Sequence, residues 1–527
     1  MSDTPSSTDT VLTLSSDIEK IPALIADFAD SQKYRNVPLP VPLPLPPHQH
    51  QDSLTYSRKI AISAFLILCS SLLFLAFGAC IGGAFAIGNS FHAYDPTTVV
   101  WIAASYPLTQ GAFVLISGRI GAIYGHKNVL FLGGAWWILW SLVNGFCTTS
   151  IISFSVARAM SGIGAAFVMP NVVAIIGITF PPGKMRNLSL GFYGFGAPVG
   201  GTLGCLLIGI FIKWAEWKWF FFTTAMIGVV CFGALWFVLP PETAVDKEGD
   251  VDWFGTFLGL TALILFNFVW NQAPAVGWTT PYLSAVLLPL SLLFFAAFGL
   301  WEHFCAKSPI MPLDIWTAPS FLPLILVVLF SVMSYGIALW YMVAWQQLIR
   351  HWSAFHFAIG LLPHAIFGSL AAPVAAWLIP RVAAQWILAF ATIVVLLSSV
   401  LLVSMPAQQL YWAQVFPATI LMALCPDFMF TAAQIVATNS VRRHEQGIAG
   451  SLISLLQLYG ASIGLGFAGT VEANTNKHGK DTLAGYRGAL YLAIGLAVAA
   501  LAIDLLFVRV PKDEREGWQH EEDAVAK

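Results

Sequence analysis

Charged residues are scarce in this sequence. Asp, Glu, Lys and Arg make up 10% of its 527 residues, whereas 57% are hydrophobic. Soluble domains carry roughly 25% charged residues, so this chain has too few to cover the surface of a water-soluble fold of its size. Its apolar residues also form long uncharged runs, and runs of about 18 residues or more are typical of membrane-spanning helices. The composition therefore predicts an all-α polytopic membrane protein.

Motifs for metals, nucleotides and catalysis are missing as well. The sequence has no HExxH pair, no cluster of histidines, no paired acids at catalytic spacing and no Walker A loop. Its seven cysteines lie in or beside apolar runs without metal-ligand spacing, which is typical of small buried side chains. The net charge of −2 gives no indication of nucleic-acid binding. We expect no enzyme activity, metal, cofactor or nucleic-acid partner. The absence of a nucleotide site also argues against a self-contained ATP-driven pump, so any energy would have to come from a gradient.

Fourteen apolar runs follow one another at short intervals, each long enough to cross a bilayer. If the N-terminus is cytoplasmic, the Lys and Arg next to these runs are concentrated on the cytoplasmic face. This distribution agrees with the positive-inside rule and predicts that both termini are cytoplasmic. We expect a monomeric, multi-pass protein of the plasma membrane or, alternatively, the vacuolar membrane. The predicted runs are 62–87, 98–117, 128–147, 151–179, 188–212, 217–239, 253–271, 281–304, 321–347, 355–379, 383–404, 411–438, 447–471 and 486–508.

The chain divides into five predicted segments. Proline occupies every second position between Val37 and Pro46, which favours extended polyproline II and cannot build a packed core. The most charged connection lies between the sixth and seventh runs, and we interpret it as the joint after a first group of six helices. The segments are a disordered cytoplasmic tail (1–58), a six-helix bundle (60–239), a cytoplasmic loop with two inserted helices (240–316), a second six-helix bundle (320–510) and a cytoplasmic tail (511–527).

A weak internal repeat supports two halves. The fifth run carries Gly196, Gly200 and Gly204, and the thirteenth carries Gly460 and Gly464 at the same spacing. Each run follows a charged loop. Parallel repeats of this kind occur in secondary transporters, with the substrate path between the halves.

Ionisable residues inside the runs are few, and each costs at least about 2.5–3.5 kcal/mol on insertion scales. Arg158 is either a fixed cation that orients a substrate or modulates a protonatable partner, or a residue that only holds two helices together. Asp427, beside Pro426, either binds and releases a proton or accepts hydrogen bonds from a locally loosened helix. His364 is either a third titratable group on the path or a histidine bonded to a neighbour.

The sequence gives weaker indications of a functional role for the other polar side chains in the runs. We expect Asp504 to reach the inner interface, and Glu302 and Glu472, which mark the ends of runs, to be interfacial. Amides line an aqueous path or hydrogen-bond neighbouring helices. The amides that we select for substrate or proton coupling are Asn171, Gln434 and Gln457.

Three motifs of the first half resemble those of one family. The segment Gly118–Lys127 (GRIGAIYGHK) is similar to the cytoplasmic signature loop of the major facilitator superfamily, and Arg158 to its fourth-helix arginine motif. Gly196–Gly201 (GAPVGG) resembles the fifth-helix motif of the antiporter branch, where Pro198 bends a helix that slides or flexes. The resemblance assigns the conformational change to Gly118, Arg119, Gly125, Lys127, Gly196, Pro198, Gly200 and Gly201.

The number of spans and the motifs of the second half indicate which branch of the family the chain resembles. Fourteen spans and Val251–Gly255 look like the drug:proton antiporter branch with two extra central helices. Cys425–Phe430 (CPDFMF) and Gly464–Glu472 (GLGFAGTVE) look like the fungal aminotriazole and boron resistance exporters. The resemblance implies two six-helix bundles and proton-coupled efflux of a small toxic compound, either a xenobiotic or a borate-like weak acid, by alternating access.

The sequence also departs from the family pattern. Ala122 stands where the signature loop has an acid, and Ala197 where the fifth-helix motif has glycine. The first helix lacks the usual aspartate, and the first six runs contain no acid at all. This absence favours an alternative function, uncoupled facilitated diffusion of a small solute. A transporter-like sensor that signals through its tail is a third hypothesis.

Overall fold

The computed structural model describes residues 55–180, 184–241, 246–247, 249–318, 320–379, 381–441, 446–477 and 479–509. The predicted N-terminal tail up to residue 54 and the predicted C-terminal tail lie outside these ranges. Fourteen helices within them have the length and hydropathy of a membrane span, as the sequence predicted. They are α1 Tyr56–Gly82, α2 Pro96–Tyr124, α3 His126–Phe146, α4 Ile151–Thr179, α5 Lys184–Trp214, α6 Lys218–Val238, α7 Trp253–Val276, α8 Leu288–Phe304, α9 Phe321–Ala344, α10 Leu362–Leu378, α11 Ala384–Ser404, α12 Val415–Ser440, α13 Gln446–Thr475 and α14 Thr482–Phe507.

Short helical segments extend four of these spans. Ala84–Ser90 follows α1, and Ala354–Gly360 precedes α10. A π-helical turn, Tyr282–Leu287, leads into α8, and another, Trp345–Ile349, continues α9. A 3₁₀ turn, Leu313–Thr317, precedes α9.

Aspartates at three helix starts keep those ends at the polar boundary. Asp95 before α2, Asp252 before α7 and Asp481 before α14 accept a backbone N–H of the first turn, at 3.1, 2.9 and 3.0 Å. These N–H groups have no partner within the helix, so a capping carboxylate satisfies them. At Asp481 this bond, helped by Lys477 at 3.3 Å, holds the pKa of the carboxyl below its ordinary value.

The helices form two six-helix bundles. In the first, α1 packs against α5, and α4 packs against α2 and α3. In the second, α9 packs against α13 and α14, while α12 packs against α10 and α11. The bundles meet where α2 contacts α13 and where α5 contacts α10. The fold is therefore the two-bundle architecture that the sequence predicted, with two additional helices between the bundles along the chain.

The glycine ridge of α5 determines how closely α1 approaches. A methyl group on Gly204 would overlap the carbonyl oxygen of Leu75 and lie 2.8 Å from the backbone nitrogen of Ala79. One on Gly200 would lie 2.6 Å from the carbonyl oxygen of Ser71. Backbone atoms cannot move away cheaply, so only glycine permits this contact between α1 and α5.

Gly204→Ala is expected to lower the free energy of unfolding by about 1–3 kcal/mol, the usual cost of overpacking a close contact. Gly201→Ala is the matched control, because a methyl group there meets nothing within 4 Å. Thermal unfolding in detergent measures both. Equal unfolding midpoints for the two variants would show that α1 does not pack on the ridge as described.

The first inserted helix, α7, is part of the protein interior. It packs on α2 and α13, and Asn271 Nδ2 donates to the carbonyl oxygen of Ser462 on α13 at 3.1 Å. The Ser462 hydroxyl lies 3.0 Å from both Asn267 Oδ1 on α7 and the carbonyl oxygen of Ala104 on α2. These buried hydrogen bonds explain the polar end of the seventh run. The second inserted helix, α8, packs on α7 and is largely exposed, as expected for a lipid-facing helix.

Candidate functional site

A cavity of about 1580 Å³ lies between the two bundles. We use inner for the end of the bundles that carries the α2–α3 loop, and outer for the opposite end, in line with the predicted topology. Arg119 on α2 and Ile379 after α10 line the cavity at its inner end. Its wall is mostly apolar, with the aromatic rings of Phe74, Tyr193 and Phe430 facing it. Concave, apolar sites with a few polar groups are typical of small-molecule binding.

Contacts between the bundles close the outer end. Gln347 Nε2, in the turn after α9, donates to the carbonyl oxygen of Gly82 at the end of α1, at 2.7 Å. The rings of Phe85 and Trp340 meet with centroids 5.2 Å apart. We call these four residues the outer gate. Because the cavity reaches the inner end while the gate is shut, the structure is an inner-facing state.

Asp427 is the only carboxylate among the described residues that line the cavity. It follows Pro426 in α12 and is close enough to Tyr335 of α9 for an electrostatic interaction. The Tyr335 hydroxyl is 3.5 Å from His364 Nε2, and both residues line the same wall. The structure thus brings together two of the predicted site residues. It adds Tyr335, which the sequence did not single out because tyrosine is common in apolar spans.

Gln457 and Gln434 also line the cavity and connect α12 to α13. Gln457 Nε2 donates to the carbonyl oxygen of Pro426 at 3.4 Å, next to Asp427. Gln457 Oε1 is buried and has no hydrogen-bond partner among the described residues. Gln434 Nε2 donates to the carbonyl oxygen of Gly450 at 2.9 Å. Gln457 therefore retains an acceptor for a polar ligand group.

Asn171 is placed elsewhere. It is fully buried and does not belong to the cavity wall. Its Oδ1 lies 2.7 Å from His126 Nδ1 at the start of α3, and its Nδ2 donates to the carbonyl oxygen of Phe167. A methyl group on Gly121 would collide with the same Oδ1. Asn171 thus holds the α2–α3 turn against α4.

Arg158 is buried inside the first bundle, outside the cavity wall, with 1% of its surface exposed. Its guanidinium lies 4.4 Å from the ring centroid of Tyr106 on α2. Within the described part of the chain, its Nε and Nη2 atoms have no hydrogen-bond partner and no carboxylate forms an ion pair with it. A desolvated cation over an aromatic face gains about 2 kcal/mol. The cation is held by a ring rather than by an acid.

The signature loop contacts the connection between α6 and α7. Arg119 Nη1 lies 2.8 Å from Asp246 Oδ2, and the backbone nitrogen of Asp246 donates to the carbonyl oxygen of Ala122 at 3.0 Å. Lys127 Nζ donates to the carbonyl oxygen of Leu239 at 2.8 Å. Gly125 turns the chain with φ of +92°, which favours glycine. Asp246 thus supplies a carboxylate beside Ala122, the position at which the loop lacks its usual acid.

Asp246→Ala is expected to change the initial rate of transport by less than about fivefold. Both side chains of the Arg119–Asp246 pair are partly exposed, at 36% and 41%, and such pairs contribute up to about 1 kcal/mol. Initial rates in reconstituted vesicles measure the effect. A loss of activity greater than about tenfold would assign this pair a role beyond a surface ion pair.

The remaining motif residues lie where the bundles or helices touch. Pro198 lines the cavity and lies against α10, since a methyl group on Gly368 would approach its Cβ to 2.6 Å. Gly118, on α2, faces the hydroxyl of Ser451 on α13. Gly201 lines the cavity, whereas Gly196 and Gly200 face α1.

Three acids differ from their predicted placement. Glu472, near the end of α13, is 6% exposed rather than interfacial. Glu302, at the end of α8, is 6% exposed rather than interfacial, and accepts the N–H groups of Ile310 and Met311 at 3.3 Å. Asp504 is fully buried, because α14 turns this side chain toward the bundle and not toward the interface. Position along a run predicts depth in the membrane but not the face that a side chain occupies.

Comparisons with known proteins agree with this architecture. The model of the Major Facilitator Superfamily matches residues 61–465. The chain is 34% identical to the aminotriazole resistance protein of Saccharomyces cerevisiae, covering 77% of this chain and 76% of that protein. It is 32% identical to the efflux pump terJ of Aspergillus terreus, covering 81% and 82%.

One further relative is named for another solute, and one solved structure shares the fold. The low affinity ammonium transporter of Saccharomyces cerevisiae is 34% identical, covering 82% of this chain and 86% of that protein. The crystal structure of a bacterial homologue of the human lysosomal transporter Spinster, in an inward-facing and occupied conformation, matches with a TM-score of 0.61 at 15% identity, covering 88% of this chain and all of that one. This chain is a multi-pass integral membrane protein that belongs to the Major Facilitator Superfamily of transporters.

Proposed function

We propose that the protein is a proton-coupled exporter of small toxic compounds, either xenobiotics or borate-like weak acids, that works by alternating access. The observation that carries the proposal is a large apolar cavity, shut at the outer end, with a single carboxylate in its described wall. The names of two relatives, an efflux pump and an aminotriazole resistance protein, agree with export.

The cavity wall supports binding of an uncharged or weakly polar organic compound. Aromatic and aliphatic side chains favour apolar parts of a ligand, and Gln457, Gln434 and His364 offer a few hydrogen bonds. Such a surface binds many related molecules, because few directional contacts restrict the ligand. The mixture of substrates that the relatives' names suggest fits this wall.

Asp427 is the proposed proton carrier. A carboxylate in an apolar wall is unfavourable unless it is protonated or a ligand donates hydrogen bonds to it. Proton binding and substrate binding at this wall then exclude each other, which couples the two fluxes. Tyr335 and His364 lie where they can assist proton movement between Asp427 and the cavity.

The conformational change is proposed to involve the bundle contacts. The outer gate contains one hydrogen bond and one ring pair, and both must break when the bundles separate at that end. The α5 helix contacts α1 on one face and α10 near Pro198, so it can slide while the ridge stays packed. Arg158 is proposed to orient the α2–α4 contact during this motion.

The proposed topology places both termini in the cytoplasm and the protein in the plasma membrane as a monomer. The proposed bundle limits are residues 60–239 and 320–510, with the inserted pair in 240–316. The concentration of Lys and Arg beside the inner ends of the runs supports this orientation.

Uncoupled facilitated diffusion is the second candidate. A relative named as a low affinity ammonium transporter and the absence of acids from the first six spans favour it. A facilitator would use the same cavity without cycling a proton on Asp427. Substrates would then equilibrate and never accumulate.

Uptake of labelled aminotriazole into proteoliposomes with an imposed pH gradient distinguishes the two. The exporter accumulates the compound in an acidic lumen above the outer concentration, and a protonophore abolishes the accumulation. The facilitator reaches equal concentrations with or without the gradient. Liposomes without protein measure passive trapping of the compound.

A further inference from the structure

The connection between the inserted helix α8 and α9 borders the inner mouth of the cavity. Four of its residues line the cavity: Ser308, Pro309, Ile310 and Pro312. The connection lies at the inner end because α8 ends and α9 begins there, and Arg119 of α2 lines the cavity at the same end. We call the segment 308–312 the inner rim.

Glu302, in the last turn of α8, fixes the inner rim. The backbone nitrogens of Ile310 and Met311 donate to its Oε1 and Oε2, each at 3.3 Å. Only 6% of Glu302 is exposed. The Met311 side chain packs on a buried cluster that includes residues of α2, α9 and α13. The rim thus has a defined position, and one carboxyl holds two successive N–H groups of its backbone.

The first inserted helix, α7, holds Glu302 in turn. Trp301 Nε1 donates to Asp252 Oδ2 at 2.8 Å, which joins the end of α8 to the start of α7. A methyl group on Gly255 would lie 3.0 Å from Glu302 Oε1, so the carboxyl lies against the first turn of α7. Because α7 packs on α2 of the first bundle and on α13 of the second, Glu302 has a fixed position relative to both bundles.

The connection that precedes α7 also contacts the mouth. Besides its ion pair with Asp246, Arg119 Nη2 donates to the carbonyl oxygen of Asp250 at 3.2 Å. No residue of α7 or α8, both of which lie wholly within the described ranges, lines the cavity itself. The inserted pair therefore contributes to the cavity through the two connections on either side of it.

We propose that the inserted pair sets the width of the inner mouth, with Glu302 as the positioning residue of the inner rim, and thereby limits the size of the compounds that enter the cavity. This inference rests on the proposed export, in which a compound enters from the inner side. Three of the four cavity-lining rim residues are apolar, so the rim selects by size and not by charge. Pro309 and Pro312 restrict the rim backbone, which favours a fixed width.

Substitutions at two positions are expected to change this width in both directions. Glu302→Ala leaves two backbone N–H groups without an acceptor, and the rim must move to hydrate them. Glu302→Gln keeps one acceptor oxygen and so retains one of the two hydrogen bonds. Ile310→Ala shortens a rim side chain without removing either hydrogen bond, and Ile310→Trp enlarges it. A loss of stability alone would not produce opposite changes at one position.

Labelling of a cysteine inside the cavity by reagents of two sizes tests the proposal without any transported compound. Ser454→Cys, on α13, is the reporter because Ser454 lines the cavity. Thr279→Cys, in the exposed loop between α7 and α8, corrects for the intrinsic reactivity of each reagent. Both are made in a parent with Cys147→Ser and Cys305→Ser, since the other cysteines are buried, and the labelling of this parent is subtracted.

The two reagents are N-ethylmaleimide and a maleimide that carries a polyethylene glycol chain, applied to protein purified in detergent. The size ratio is the labelling rate with the large reagent divided by the rate with the small one, at position 454 relative to position 279. We expect this ratio to be below one in the parent, because a reagent must pass the rim to reach position 454.

Glu302→Ala should raise the size ratio at least about threefold, since each lost hydrogen bond contributes up to about tenfold to an equilibrium. Glu302→Gln should lie between this variant and the parent. Ile310→Ala should raise the ratio and Ile310→Trp should lower it. His303→Ala, which removes the exposed side chain next to Glu302, is the matched control and should keep the ratio of the parent.

Four results would overturn the proposal. A size ratio of one in the parent, or no labelling at position 454 by either reagent, would show that the mouth does not select by size. An unchanged ratio in both Ile310 variants would reject the rim as the selecting element. An unchanged ratio in Glu302→Gln would reject Glu302 as its positioning residue, even if Glu302→Ala fails to fold. Because labelling needs no transport, failure of aminotriazole accumulation rejects the proposed export and leaves the rim measurement intact.

Discussion

Asp427→Asn is expected to abolish accumulation against a concentration gradient while substrate exchange continues. Asparagine keeps the size of the side chain and its hydrogen-bonding capacity but cannot bind and release a proton. A gradient of one pH unit is worth about 1.4 kcal/mol per proton, which sustains about a tenfold concentration ratio when one proton exchanges for one substrate. In the variant this ratio should fall to one. Proteoliposome uptake measures accumulation, and counterflow with labelled substrate measures exchange.

Asp504→Asn is the control for that substitution. Asp504 is another buried carboxyl of the second bundle, but it does not belong to the cavity wall. We expect Asp504→Asn to keep full gradient-driven accumulation. If Asp427→Asn accumulates substrate as the parent does, Asp427 is not the proton carrier.

Arg158→Ala is expected to lower the rate of substrate movement by at least about thirtyfold while the protein stays in the membrane. The guanidinium stacks over Tyr106, and a desolvated contact of this kind is worth about 2 kcal/mol, or about thirtyfold in an equilibrium. Removing it loosens the contact of α4 with α2 that the conformational change needs. Initial rates, normalised to the amount of reconstituted protein, measure the loss.

Two further variants separate charge from packing at this position. Tyr106→Phe keeps an aromatic face under the guanidinium, so its rate should stay within about threefold of the parent. Arg158→Lys keeps the charge but loses the planar group, and we expect an intermediate rate. Full activity of Arg158→Ala would show that transport does not need the contact between the guanidinium and Tyr106.

The number and placement of the spans could be predicted because they depend on local properties. A run of apolar residues crosses the bilayer whatever its neighbours are, so the fourteen helices follow from length and composition. The small-residue ridge of α5 is equally local, since the spacing of Gly196, Gly200 and Gly204 places them on one face. The partner of this ridge, α1, was not predicted, because the spacing does not identify the helix that packs on it.

Long-range pairings account for what the sequence did not predict. Glu472 is bonded to Tyr341, which lies 131 positions earlier in the chain. Arg119 and Asp246, which form an ion pair, are 127 positions apart. Asn171, selected as a path-lining amide, instead contacts His126, since the turn after α2 brings that ring onto α4. Charge in the α6–α7 connection was the available signal for Asp246, but one sequence does not show which cation it meets.

Simultaneous recording of substrate and proton movement tests the central claim most directly. Proteoliposomes are loaded with a transported compound that has no titratable group near the assay pH, together with a pH-sensitive dye and a clamped membrane potential. The account predicts that outflow of the compound acidifies the lumen, and that Asp427→Asn removes the pH change. Outflow with no change in luminal pH in the parent protein would contradict it.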